Sequence, residues 1–366
     1  MKDKFIFDII HGYIEIDPIC LKIIDTPEFQ RLRNLKQLGL SYLIFPSANH
    51  TRFEHSIGVS FLSGLILTHL KKTQPELGIT EREIQLIKIA GLCHDLGHGP
   101  FSHFFDNYLV KDYSNHEDRS CMILDYIINK YKLNIDNQDK TIIFNMINPK
   151  ENIKNKGFLY KIVNNKDNGI DVDKFDYVKR DSFYLGMSFG FDSSRIIKHV
   201  RIINNQICFL DKTFFDIQEL FEVRDKLHQR VYQHHTNTIL DYMMKDIFLD
   251  LNKNIDFKKI CNNPKLFCRI DDNYIWNLEN KILENIKNRK LYKFINDYTK
   301  EEFKKNIDSD LDSNGENIIF HNLEFGYQNE KFKNIFFYNK EKYNIKFLKE
   351  IRFNKTIKII RVINKF

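Results

Sequence analysis

No stretch of this sequence approaches the roughly 20 consecutive apolar residues that a membrane helix needs. The first residues, MKDKFIFDIIHG, lack the apolar core followed by small residues that marks a secretory signal. A cytoplasmic or nuclear protein with no membrane partner is therefore expected. The six cysteines, Cys20, Cys93, Cys121, Cys208, Cys261 and Cys268, include no CxxC pair and no regular framework. That argues against a zinc ribbon or a disulfide scaffold and for reduced, mostly buried thiols. Internal repeats and long low-complexity tracts are missing too. The net charge of +7 is carried by scattered lysines, so nucleic acid is a permitted partner but not an indicated one. Nucleotide phosphates account for local basic groups equally well.

What is present describes a folded chain. Apolar residues make up 42%, charged residues 29% and aromatics 14% of 366 positions, enough for a substantial core. A globular chain of this length buries roughly 75% of its unfolded surface and usually exceeds one compact unit. We expect a mainly α fold: a helical catalytic domain over residues 1–255 and a smaller α+β lobe over 256–366 that serves regulation or oligomerisation.

Local signals place the helices. Thr26, Pro27 and Glu28 form a helix start and Gly39 a stop, so PEFQRLRNLKQL is predicted helical. Another helix is predicted from about Phe53 to Leu70. Thr80 and Glu83 have capping-box spacing, and the apolar run Ile84 to Leu92 extends that helix towards Gly97 and Pro100. Two more are predicted over Asp171 to Tyr184 and, as one long rod, over about Asp216 to Asp250. Beyond residue 255 the pattern changes. Ser309 to Asn317 reads as a turn or exposed loop, whereas NIIFHNLEF, NIFFYNK and TIKIIRVINK have strand character.

The most informative segment is IAGLCHDLGHGPFSH. It sets His94 beside Asp95 at a helix end, followed by His98 and His103 around a glycine-rich turn. Imidazole and carboxylate suit Mg, Mn, Fe or Zn. His55 in RFEHS and Asp173 in GIDVDKFD complete a His, His-Asp, Asp set. A divalent cation held there lowers the pKa of bound water towards ~7 and polarises a phosphoryl oxygen. Alone, a His-Asp pair often merely closes a helix; four such groups on three helical segments, with His98, His103 and His116 nearby, argue for a metal centre. Asp173, Tyr177 and Asp181 recur every fourth residue, as do Arg224, His228 and Tyr232, so each set shares a helix face. Either set also reads as an ordinary stripe with a buried aromatic and solvated charges.

Longer strings carry a resemblance. HGYIEIDP, IIDTPEFQRLR, KQLG, RFEHSIGV, QPELGITERE, the His-Asp segment, FLYKIVNNKDNGIDVDKFDY and LHQRVYQH are similar to the HD-domain deoxynucleoside triphosphate triphosphohydrolases, in the branch of the vertebrate SAM-and-HD-domain protein. The similarity runs from about Lys4 to Asp250 and weakens beyond. It starts almost at Met1, so the expectation is a form without the SAM domain. An HDxxED pattern, as in guanosine tetraphosphate hydrolases, is replaced here by HDLGHG, and the GYP signature of cyclic-dinucleotide phosphodiesterases is missing.

The resemblance implies release of deoxynucleoside and intact triphosphate. It assigns phosphate contacts to Arg52, His98, Lys174, Tyr177 and Arg224, and water positioning or proton movement to His103, His116 and Asp106, with His98 in the same catalytic group. Leu38 and Tyr232 would gate the sugar, Gln37 and Asp181 would hold the 3′ hydroxyl, and Gln233 joins the substrate set. Broad use of all four bases is expected. The family assembles around activators, first GTP or dGTP and then a deoxynucleotide, which implies a homo-oligomer, dimer or tetramer. Lys4, Asp25, Gln30 and Arg33 match the first activator site, although Asp25 also suits a helix start and Arg33 a surface pair. At the second, Arg195, Lys212 and His234 persist, but Phe7, Tyr13 and Leu210 replace the polar residues of the pattern. Two other functions stay open: an HD phosphohydrolase acting on nucleoside monophosphates or another phosphoester, and a catalytically silent nucleic-acid-binding protein.

Overall fold

A computed structural model describes residues 4–149, 156–304, 317–325, 334–339, 345–347 and 357–365. The loop expected over Ser309 to Asn317 lies, except for Asn317, outside the described residues. The fold is mainly α with small sheets, as expected. A hairpin, β1 (Lys4–Asp8) and β2 (Gly12–Ile16), precedes the short helices α1 (Pro18–Ile24) and α2 (Pro27–Gln30). Next come α3 (Arg52–Thr73), α4 (Glu81–Cys93), α5 (His116–Tyr131), α6 (Asn137–Ile147), α7 (Val172–Tyr184) and α8 (Ser194–His199). Strands β3 (Arg201–Ile203) and β4 (Gln206–Leu210) lead into α9 (Phe214–Leu227) and α10 (His235–Leu251). Short helices between Phe257 and Lys287 precede β5 (Lys293–Thr299), β6 (Ile318–Phe325), β7 (Phe336–Tyr338), β8 (Ile345–Phe347) and β9 (Ile357–Asn364). The strand expectations beyond residue 255 are met by β6, β7 and β9.

Helix α3 forms the centre. It is buried nearly all round, the pattern of an interior helix rather than a surface one, and α4 and α7 pack on it through small residues. A Cβ on Gly58 would lie 2.0 Å from Asp176 Oδ1 and 2.6 Å from Arg180 Nη2. The missing side chain thus makes room for two buried charges on α7. Strands β5, β9 and β6 form an antiparallel sheet in that order, while β4 pairs in parallel with β7. Segments on both sides of residue 255 therefore share one sheet.

Three helix expectations need correction. The helix starting at Pro27 becomes a 3-10 turn over Arg31–Asn34 and stops, because tertiary partners claim the next backbone groups. Lys36 N donates to Asp272 at 2.9 Å, Gln37 N to His50 O at 3.0 Å, and Arg52 N to Leu35 O at 3.0 Å. The helix from Thr80, with its capping box in place, ends at Cys93 rather than near Gly97. A Cβ on Gly97 would stand 2.1 Å from His116 O, so the chain turns there against α5. The rod expected from Asp216 to Asp250 is broken: α9 passes into a π-helical turn, His228–Tyr232, and α10 restarts beyond His234. π-turns of this kind recur at functional sites.

Adding a methyl group at Gly58 should be felt through Asp176. Gly58→Ala is expected to cost about 1–3 kcal/mol by overpacking and to lower the melting temperature by several degrees. Gly190→Ala, whose Cβ meets nothing within 4 Å, should leave it unchanged. Equal melting temperatures for both variants, read by calorimetry, would contradict this packing.

Candidate active site

The four proposed metal ligands converge from three elements: His55 from α3, His94 and Asp95 from the end of α4, and Asp173 from the first turn of α7. His55 Nε2 lies 3.1 Å from Asp173 Oδ1 and 3.6 Å from Asp95 Oδ2; His94 Nε2 lies 3.5 Å from Asp173 Oδ1 and 3.4 Å from Asp95 Oδ1. Both Nε2 atoms are buried and make no hydrogen bond. Each imidazole is aimed by its other nitrogen: His55 Nδ1 pairs with Asp176 Oδ2 at 2.7 Å and His94 Nδ1 with Gly91 O at 2.8 Å. An outer partner on Nδ1 that presents Nε2 is the usual arrangement around a bound divalent ion. The residues therefore fit a metal.

Beside this cluster lies a set of histidines in mutual contact. His98 stacks on His116 with ring centroids 4.1 Å apart, and His103 meets His98 edge-on at 5.2 Å. His116 Nδ1 lies 3.1 Å from Asp106 Oδ2, and Asp106 is anchored by Arg119. Burial, Arg52 and His116 hold His98 well below the usual imidazole range; desolvation within the cavity, Arg52 and His116 also lower His103, whose side chain is exposed to that cavity. Both rings are thus neutral near pH 7. Asp106 stays ionised because His116, His98 and Arg119 outweigh its burial.

The cluster opens into a cavity of about 620 Å³. Its walls carry Gln37, Leu38, Arg52, Lys174, Tyr177, Asp181, Arg224, Tyr232 and Gln233, so the structure gathers the entire expected substrate set. Arg52 pairs with Asp95 and donates from Nε to Ser102 Oγ at 2.8 Å, while its buried Nη2 has no partner. Arg224 Nε donates to Tyr177 OH at 2.9 Å, and Tyr232 OH to Asp181 Oδ2 at 2.5 Å. Lys174 Nζ contacts Asp171 at 3.0 Å. The carbonyl oxygens of the Gln37 and Gln233 side chains are buried and unpaired, which suits ligand donors. Both fourth-residue sets therefore face the cavity rather than solvent.

An HD-domain sequence profile matches residues 52–181. The putative HD domain-containing protein L394 of Acanthamoeba polyphaga mimivirus is 41% identical over 78% of this chain and 72% of its own length. The chain belongs to the HD-domain family. The deoxynucleoside triphosphate triphosphohydrolase SAMHD1 homolog of Dictyostelium discoideum is 42% identical over 81% of this chain, and the Bos taurus SAMHD1 is 39% identical over 80%. This HD-domain chain spans 60% and 58% of the length of those two relatives.

Sequence reasoning missed several residues of this HD site. Asp176, three positions after Asp173, was legible only as another acid on α7. His50 pairs with Asp181 Oδ1 at 2.7 Å and stacks on Tyr184 at 4.6 Å. Asp241 from α10 and His321, Asn322 and Leu323 from β6 line the cavity, and no local pattern marks them. The activator residues are less gathered. Gln30 accepts from Arg33 Nε at 2.8 Å, and the Arg33 guanidinium lies 3.5 Å from the Phe53 ring centroid. Asp25 is exposed nearby at the end of α1, and Lys4 sits on β1. At the second set, Phe7 and Tyr13 pack edge to face at 5.2 Å, Leu210 is buried, Arg195 pairs with Asp216 at 2.8 Å, and His234 caps α10. No helix among the described residues is long and apolar enough to cross a membrane.

The charge balance at His55 has a pH signature. Burial opposes its charge, but Asp173, Asp176 and Asp95 prevail and raise it from 6.5 to about 10. In the metal-free chain this stabilises the fold fully below the unfolded value and is lost as pH rises towards the folded one. A metal held by His55 would need its imidazole neutral, so binding would release that proton. The rise in melting temperature on adding Mn should therefore be larger at pH 8.5 than at pH 6, and Asp176→Asn should weaken metal binding about 10–100-fold. An equal rise at both pH values, or unchanged affinity by equilibrium dialysis, would contradict this account.

Proposed function

We propose that this chain hydrolyses deoxynucleoside triphosphates to deoxynucleoside and intact triphosphate. One observation carries the reading: a single cavity is lined by His94, Asp95 and Asp173, with His55 in contact with both carboxylates, and also by the cationic Arg52, Lys174 and Arg224 and by the Asp181 carboxylate with Tyr232. Those four residues would hold a divalent ion, which when bound supplies charge stabilisation to the phosphoryl group and lowers the pKa of water.

The chain's own groups do the rest. Arg52, Lys174, Tyr177 and Arg224 bind phosphate oxygens, the neutral His98 donates a hydrogen bond to them, and His103, with His116 and Asp106, positions water or moves the proton. Water adds to the α-phosphorus, the bond to the 5′ oxygen breaks, and that oxygen takes a proton. His116, held by Asp106, stands where such a proton can be kept ready. Asp181, fixed by His50 and Tyr232, accepts from the 3′ hydroxyl with Gln37, while Leu38 and Tyr232 leave no room for a 2′ hydroxyl. A sugar hydroxyl buried without a partner costs about 1–3 kcal/mol, which supports selection of deoxyribose.

The same proposal takes GTP or dGTP at Lys4, Asp25, Gln30 and Arg33 and a deoxynucleotide at the second set as activators of a homo-oligomer, dimer or tetramer. It divides the chain into a catalytic unit over 1–255 and an oligomerising or regulatory lobe over 256–366, in a cytoplasmic or nuclear protein. Contact between Gln30 and Arg33 on one exposed surface supports the first activator site.

Incubation of the protein with each deoxynucleotide and Mg or Mn, with and without GTP, should yield deoxynucleoside and triphosphate by chromatography, and light scattering should show a larger species with GTP. Arg224→Ala should lower kcat/KM about 10²–10³-fold, as loss of one preorganised donor does. Orthophosphate released from monophosphates, with no deoxynucleoside from any triphosphate, would overturn the proposal in favour of a different phosphoesterase. Gel shifts that survive Asp173→Ala, with no hydrolysis by the parent, would overturn it in favour of nucleic-acid binding.

A further inference from the structure

We infer that Arg361 is a positioning residue for the substrate cavity: through it, the C-terminal sheet sets the turn that carries Tyr232 and Gln233. The inference rests on the reading of those two residues as substrate contacts.

Arg361 lies on β9 with only 5% of its side chain exposed. Its Nε and Nη2 donate to the two oxygens of Asp297 on the neighbouring strand β5, both at 2.8 Å. This two-pronged pair fixes the plane of the guanidinium. The remaining nitrogen, Nη1, points out of the sheet, where it donates to the carbonyl oxygen of Gln233 at 2.7 Å and to Thr238 Oγ1 at 2.9 Å. An arginine is required because three nitrogens act in two directions at once; a lysine amine has no such fork.

The receiving point is where the π-helical turn His228–Tyr232 ends and α10 begins, and backbone groups at such a break lose regular helical partners. On its other side the turn is tied by Asn237 Nδ2, which donates to Val231 O at 2.7 Å and to Ser41 Oγ at 3.0 Å. Two anchors thus locate Tyr232 and Gln233. One is local; the other comes from more than a hundred residues away. Tyr232 bonds Asp181, and the Gln233 side chain, its carbonyl oxygen unpaired, lines the cavity, so a shift of this turn moves the sugar gate itself. Strand β6 of the same sheet brings His321, Asn322 and Leu323 to the cavity wall, so the sheet is seated where such a tie can act.

Arg361→Met, Arg361→Lys and Thr238→Val test this in the full chain. Thr238→Val leaves the Arg361–Asp297 pair intact and serves if Arg361→Met fails to fold. Arg361→Met should raise KM for a deoxynucleotide about tenfold with kcat far less changed, the mark of lost uniform binding, and should reduce discrimination against the ribonucleotide by a similar factor. Arg361→Lys should recover part of both effects, and Thr238→Val should show a smaller change of the same kind. Hydrogen exchange at the amides of Gln233 and His234 should quicken in the variants while that of α4 does not. A fall in kcat and melting temperature with KM and sugar discrimination unchanged would overturn the inference. If the parent cleaves no deoxynucleotide, the functional reading fails, and the exchange measurement still decides: unchanged exchange at Gln233 and His234 sinks the latch.

Discussion

The carboxylate of Asp176 is the charge on which the rest of this site depends. It is wholly buried, a placement that costs several kcal/mol unless the charge is paired and hydrogen-bonded. Here it is over-provided. Arg180 approaches both oxygens at 2.8 and 2.9 Å, His11 Nε2 one of them at 2.7 Å, and His55 Nδ1 the other at 2.7 Å. Burial disfavours the anion, but these partners hold it well below the usual carboxylate range. One residue thereby fixes the ring plane of His55, a proposed metal ligand, ties α3 to α7, and, through Arg180 and its 2.8 Å contact to Asp8, joins the N-terminal hairpin to both. Gly58 is the condition for this arrangement, since any side chain there would occupy the carboxylate's place.

A second constraint shapes the cavity wall. Phe101 and Ser102 both sit at positive φ, 60° and 59°, conformations that cost about 1–3 kcal/mol each outside glycine. Asp272, 171 residues beyond Phe101, holds this turn, accepting from Phe101 N at 2.7 Å and from Lys36 N at 2.9 Å. Burial raises its carboxyl to about 7. Ser102 in turn accepts from Arg52 and donates to Lys36 O at 2.8 Å. The loop that carries His98 and His103 and the segment that carries Gln37 and Leu38 are thus held by one strained turn. Strain concentrated beside a cavity, with distant groups opposing it, is how a fold keeps reactive side chains in one geometry.

Much of the site was legible because helices impose period. Asp173, Tyr177 and Asp181 had to share a face once α7 formed, and the capping box at Thr80 announced α4 and so the place of His94 and Asp95. Boundaries were less legible. The expected rod from Asp216 to Asp250 has apolar spacing on both sides of Tyr232, and nothing in that spacing announces a π turn. Likewise the helix from Pro27 stops at Asn34 because Asp272, His50 and Arg52 take the next backbone groups, partners outside the local helical spacing.

By itself the sequence determined the chemistry: which imidazoles and carboxylates exist, on which helix faces they recur, and the family whose strings they share. Side-chain type and helical period are local properties, readable without coordinates. Only the tertiary structure decided which buried charge aims His55, that His50 supports Asp181, that Arg361 reaches the turn before α10, and that the β6 residues line the cavity. These depend on contacts between segments more than a hundred residues apart, where burial rather than spacing selects the partner.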